Sequence, residues 1–303
     1  VRTCAKRFLR AELVGVWVQQ GRAIRQLPDR RSLTSGYEQQ REGSRIASVV
    51  SHPQVQEMAQ SSDKLESEWI KLDLHIHTLD DPKDALDYSA HELLERARAL
   101  GFRVLAITLH DAVFDRAEVF ADAARMGILL IPAAEVRLEG ADVILLNVGA
   151  NEIESLRNLD DLQDLRRRRG LSLFTIAPHP FYVLGGSMGE KLIEKIDCFD
   201  AIELCHFWTR FFNPNRRAGE VAARFRKPLI ATSDAHRLHA FGSHYTSIPR
   251  PAVLAIEDVF TALRSGPLQL TSPPCSFVDL ISTIYWVFIA HPIRLMFRQR
   301  HRS

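Results

Sequence analysis

From residue 69 onward the chain alternates short apolar runs with helix-like patterns, and this alternation restricts its fold more than any other feature. The apolar runs fall at 69–75, 104–108, 128–131, 143–146, 173–177, 201–204 and 229–232. Such near-continuous runs read as strands buried on both faces, as in a parallel sheet covered by helices. Helical patterns fill the intervals at 89–100, 115–126, 152–169, 191–196, 215–225 and 256–264. Ser89 followed by Glu92 forms a capping box, and Gly101, Gly127 and Gly170 close three of the helices. So many strand–helix units in about 200 residues favour a closed α/β barrel over an open sheet. No G-x-G-x-x-G follows the first strand to support a dinucleotide-binding fold.

The segment before residue 69 has a different texture. Residues 1–31 hold eight Lys/Arg against two acids, and residues 32–68 are rich in Ser, Gln, Glu and Arg with little periodicity. Three segments are expected: an extension at 1–68, partly disordered; a barrel at 69–270; and an apolar helix with a basic tail at 271–303. The last 13 residues carry four Arg and no acid, so the net charge of +2 hides an acidic body between basic ends. That pattern does not describe a dedicated nucleic-acid binder. The run Arg166 to Arg169 ends a helical pattern, where cations suit the helix dipole. Cys4, Cys198, Cys205 and Cys275 show no C-x-x-C spacing, which fits a reducing compartment and a cytoplasmic location.

The chemistry lies at the strand ends. The first strand ends in His75-Ile76-His77, with alternation placing both imidazoles on one face. Later runs end in His110-Asp111, in Glu135, in Pro178-His179-Pro180 and in Ser233-Asp234-Ala235-His236, and Glu203 lies within the sixth. In a parallel barrel these ends meet at one mouth. A single His or Asp at a strand end is ordinarily a cap or a bonded polar group. A whole set of imidazoles buried together without a metal would be unsatisfied when neutral and mutually repelling when charged. Mixed His/carboxylate sets suit Zn, Mn or Fe, and the ligands suffice for two or three divalent ions.

Asp73-Leu-His-Ile-His-Thr78, Leu105-Ala-Ile-Thr-Leu-His-Asp111, Ile131-Pro-Ala-Ala-Glu135, Ala177-Pro-His-Pro180 and Thr232-Ser-Asp-Ala-His236 together resemble the PHP family, named for polymerase and histidinol phosphatase. The resemblance implies a distorted seven-stranded (β/α) barrel with a metal centre that hydrolyses phosphoesters. It places one metal on His75, His77, Glu135 and Asp234. Glu135 bridges to a second, which His179 also binds. His110, His236 and an acid from the loop after His77 hold a third. Asp80, Asp81, Asp84 and Asp87 compete for that last role, and counting back from Gly101 favours Asp84. His110, His179, Asp234 and His236 are the implied catalytic residues. The chain departs from the family in Leu109, where an Asp is usual, and in 142–147, which lacks a His. Asp111 is available to support an imidazole instead.

The expected reaction is attack of metal-activated water on the phosphorus of a phosphate monoester, nucleotide or oligonucleotide. Arg210, Arg237 and His206 are weaker candidates for holding the phosphate. The rivals are an amidohydrolase-like metal hydrolase and a catalytically degenerate barrel serving as an interaction module. Residues 280–290 form the most apolar stretch. Eleven residues fall short of the roughly 20 that span a bilayer. Packing on the barrel or on a second subunit is favoured over membrane-surface contact through 277–297.

Overall fold

The computed structural model describes residues 68–183 and 185–302. The expected extension, all but Glu68, lies outside the described residues. From Trp69 onward the described residues belong to one compact unit.

Nine strands form one sheet: β1 (Trp69–Ile76), β2 (Phe102–His110), β3 (Leu129–Leu138), β4 (Ala141–Leu146), β5 (Phe174–Ala177), β6 (Ala201–Leu204), β7 (Leu229–Ala231), β8 (Tyr245–Pro249) and β9 (Gln269–Thr271). Their order is β7-β6-β5-β4-β3-β2-β1-β8-β9. The sheet nearly closes. Ile76 bridges Ala235, just beyond β7, and Thr246 of β8 exchanges hydrogen bonds through its hydroxyl with the backbone of Ala231.

Two expectations need correction. Among the described residues the strands number nine rather than seven, because β8 and β9 add a short antiparallel pair beside β1. The sheet is also mixed: β4 runs antiparallel to both β3 and β5. The cause is local. Glu139 and Gly140 alone separate β3 from β4, and both have positive φ, at 51° and 86°. A two-residue turn with this left-handed pair matches strand twist and forces a hairpin.

Helices cover the sheet: α1 (Ala90–Ala99), α2 (Ala117–Arg125), α3 (Ala150–Glu154), α4 (Leu159–Arg169), α5 (Lys191–Glu194), α6 (Asn215–Phe225), α7 (Ile256–Ser265), α8 (Phe277–Tyr285) and α9 (His291–Arg302). The Ser89–Glu92 capping box forms as read. The single helix expected at 152–169 is two, because the Asn158 side chain accepts from the amides of Asp160 and Asp161 and starts a new helix. Leu72, Leu74, Val104, Ile131, Phe174 and Ile230 fill the interior above Phe260 and Leu263 of α7. Ile76, Leu105, Ile107 and Leu109 pack outward under α1 and α2. A bulge in the β1–β2 pairing between Asp73 and Ile76 separates the two environments and re-aims the strand end.

Beyond β9, α8 leads into a π-turn at Trp286–Ala290 and then α9. With its flanks, the run Phe277–Met296 is 20 residues long and apolar enough to cross a membrane by length and composition. One face touches the barrel, where Arg237 donates to Ser282 Oγ at 2.8 Å. Phe277, Val278, Ile281, Tyr285, Phe288 and Ile293 are exposed.

Candidate metal centre

Glu135, at the position where β3 pairs with the end of β2, is the hub of the mouth. Its Oε2 lies 3.4 Å from His75 Nε2, 3.4 Å from His77 Nε2 and 3.3 Å from His110 Nε2. Its Oε1 faces His179 Nε2 at 3.8 Å. Asp234, from the turn after β7, brings Oδ1 to 3.3 Å from His75 Nε2 and 3.5 Å from His77 Nε2. His236 Nε2 meets Asp84 Oδ2 at 2.9 Å. Five neighbouring groups of three residues have donor atoms close enough to hold an ion, among them His75–His77–Glu135, His77–His110–His236 and Glu135–Asp142–His179.

Outer partners fix the way these rings face. A metal-binding imidazole is aimed by what its other nitrogen bonds. Asp81 Oδ2 takes the Nδ1 of His77 at 3.1 Å and the Nδ1 of His110 at 2.9 Å. Glu203 Oε1 takes His75 Nδ1 at 3.0 Å, while its Oε2 accepts the His179 amide at 2.9 Å. His236 Nδ1 lies 3.0 Å from the Asp234 carbonyl. All four rings therefore turn Nε2 toward the carboxylates. Among the buried side-chain atoms left without a hydrogen-bond partner are His75 Nε2, His77 Nε2 and His179 Nδ1. Buried, unpartnered imidazole nitrogens beside carboxylates are what a divalent cation would satisfy, so the donor set fits the group.

The electrostatics agree. Burial would raise the Glu135 and Asp234 carboxyls, but the facing His75 ring, helped by His179 and His236 respectively, outweighs it and holds both well below the usual range. Burial would lower His236, yet Asp234 and Asp84 push it up to about 9. So many buried carboxylates demand positive charge, from protons or from metal. The backbone is strained at the same place: His179 and Asp234 have φ of 29° and 46°. Non-glycine residues pay about 1–3 kcal/mol for such conformations, which persist where surroundings over-determine them.

All eight residues named as ligands from the sequence (His75, His77, Asp84, His110, Glu135, His179, Asp234 and His236) reach this mouth. Of the loop acids, Asp81 sits beneath two imidazoles and Asp84 faces His236, whereas Asp80 pairs with Arg116 and Asp87 with Arg294. His206 Nδ1 lies 3.6 Å from Asp234 Oδ2. Arg237 lines the adjoining cavity of about 310 Å³. Arg210 is exposed and is not among the residues lining that cavity. Asp111 supports no imidazole; it accepts from the Arg137 amide at 2.9 Å and pairs with Lys83.

Asp142 was missed. It is the second residue of β4, and an all-parallel barrel would place the start of that strand away from the mouth. Because β4 is antiparallel, its start lies at the mouth, where Asp142 joins Glu135 and His179 and is held by Arg137 at 2.6 and 2.9 Å. The two-residue Glu139-Gly140 turn was the signal. Asp142 thus stands in the region where the expected His was lacking.

Residues 212–268 match the family model described as PHP-associated. No curated protein sequence matches the chain. Among solved structures, PsfC from Pseudomonas syringae PB-5123 is 17% identical with a TM-score of 0.53, over 72% of this chain and 98% of that one. A two-domain protein from Bacteroides vulgatus, containing a predicted PHP-like metal-dependent phosphoesterase, is 17% identical with a TM-score of 0.50. That match covers 66% of this chain and 64% of the other, so the chain spans less than two thirds of that protein's length. The resemblance read from the strand-end motifs is borne out: the chain carries PHP-associated sequence at residues 212–268 on a fold shared with PHP-like proteins.

Proposed function

We propose that this chain is a metal-dependent phosphoesterase acting on a phosphorylated small molecule or a nucleotide. The observation that carries the reading is the convergence of His75, His77 and His110 on Glu135, with the His75 and His77 Nε2 atoms buried and unpartnered. His75, His77, Glu135 and Asp234 would hold one ion, Glu135, Asp142 and His179 a second, and His110, His236 and Asp84 a third. Divalent Zn, Mn or Fe at these places would lower the pKa of water and neutralise charge on a phosphoryl group.

The chain's own residues do the rest. Asp81 and Glu203 hold the rings in one tautomer, so their Nε2 lone pairs need no rearrangement. Arg137 and Arg237 line the cavity and supply positive charge for phosphate oxygens. Tyr182, Phe207 and Trp286 give it aromatic walls, which suit the base of a nucleotide or an aryl leaving group. Burial pushes the Cys205 thiol pKa up, which disfavours a thiolate nucleophile there. The location proposed is cytoplasmic, with contact to a membrane surface through the exposed face of residues 277–297. The test is elemental analysis of protein purified without chelator, followed by a phosphatase and nuclease panel. Bound divalent metal and turnover are expected; metal-free protein inert to added Mn²⁺ and Zn²⁺ would overturn the reading.

A further inference from the structure

The C-terminal helices begin after residue 276, beyond the PHP-associated match that ends at residue 268. They nevertheless reach the mouth. Trp286 lies 5.8 Å from the His236 ring, edge to face, and Trp286 and Thr283 line the cavity. His291 Nε2 lies 3.2 Å from Asp84 Oδ1, while the other oxygen of Asp84 meets His236. Arg294 pairs with Asp87 at 2.7 Å and Arg237 with Ser282 at 2.8 Å, so the helices are pinned on both sides of this contact.

A backbone device makes the contact. In a regular α-helix, residues five apart point about 140° away from one another. Here the His291 amide donates to the Trp286 carbonyl, an i to i−5 bond that widens the turn. The wider turn rotates His291 back onto the face of Trp286, and the rings stack with centroids 4.6 Å apart and planes at 29°. Single π-turns inside α-helices recur at functional sites, where they re-aim a side chain at a cost in helix stability.

We propose that the C-terminal helix is a wall of the metal site, in which His291 positions Asp84 for the ion shared with His236 and Trp286 stacks against His291 to hold it there. The inference rests on the metal-centre reading above. With Oδ1 engaged by His291, Asp84 keeps Oδ2 turned to His236 instead of swinging out with its loop. His291 is a positioning residue, and partners of this kind change metal affinity by about 10–100-fold.

The experiment measures Zn²⁺ stoichiometry and affinity by chelator competition on the full chain, alongside thermal unfolding. In His291→Ala one Zn²⁺ position should lose affinity at least about tenfold, with the other positions unchanged. His291→Gln, whose amide N–H still reaches a carboxylate, should recover most of that loss. Equal affinities at every position in wild type and His291→Ala, or a loss in His291→Gln as large as in His291→Ala, would overturn the inference. Wild-type protein that binds neither Zn²⁺ nor Mn²⁺ would instead overturn the metal-centre reading.

Discussion

Glu203 shows how a side chain that holds no ion shapes a site. It is fully buried, with one oxygen on His75 Nδ1 and the other on the His179 amide. Removing it leaves every expected ligand in place but frees His75 to rotate or change tautomer. Glu203→Ala should therefore lower metal affinity or turnover by about 10–100-fold. Asp234→Ala and His77→Ala should abolish turnover while leaving the fold intact. Metal content and aryl phosphate hydrolysis, measured together, check the order; full activity in Asp234→Ala would speak against the centre. Apart from Asp84, the ligands named from the sequence were legible because they lie at or just after the ends of apolar runs, and apolar runs mark buried strands. The outer partners were less so: Asp81 was one of four acids in a short loop, and only the folded loop, with Lys83 and Asp84 amides on its other oxygen, shows which way it turns.

At the scale of elements, the antiparallel β4 is what the alternation of strands and helices concealed. Buried strands look alike in either direction, so the sequence pattern does not single out Asp142 as a residue of the mouth. Its position depends on Gly186, whose carbonyl accepts the Asp142 amide at 2.7 Å and whose φ is 93°. A Cβ at Gly186 would meet Asp142 Oδ2 at 1.8 Å and Arg137 Nη2 at 2.9 Å, whereas one at neighbouring Gly185 meets nothing within 4 Å. Gly186→Ala should displace the Asp142–Arg137 pair and reduce metal bound with Glu135 and His179; Gly185→Ala should not. Metal stoichiometry of the two variants decides it. Elsewhere Arg166, at the end of α4, does more than complement a helix dipole. Arg166 and Arg264 both reach Asp200, at 3.2 and 3.1 Å. Burial would raise the Asp200 carboxyl, but the two guanidiniums and the Thr175 amide hold it below its usual value. A depressed folded pKa stabilises above the unfolded pKa of about 4 and is lost as pH falls through the folded one. Asp200→Asn should cost about 3 kcal/mol at pH 7 in urea unfolding, and the gap from wild type should shrink in acid.

For the whole molecule, the question is what meets the outer face of the C-terminal helices. Their inner face is committed to the barrel through Arg237, Asp84 and Asp87. These polar contacts hold the helices on the barrel, although the run Phe277–Met296 is long and apolar enough to cross a membrane. The exposed Phe277, Val278, Ile281, Tyr285, Phe288 and Ile293 are followed by Arg294, Arg298, Arg300 and Arg302, and no acid lies after Asp279. An apolar face followed in sequence by several arginines suits a surface that is apolar within and anionic at its boundary. The full chain should float with vesicles containing phosphatidylglycerol and remain behind with pure phosphatidylcholine. Ile281→Asp combined with Phe288→Asp should abolish flotation while metal content stays at the wild-type level, because neither residue faces the mouth. Failure to float, with elution at twice the monomer mass that the same pair of substitutions reverses, would assign the face to a second copy of the chain. Metal lost together with flotation would mean that the outer face also steadies the wall carrying His291, joining surface contact to the chemistry beneath it.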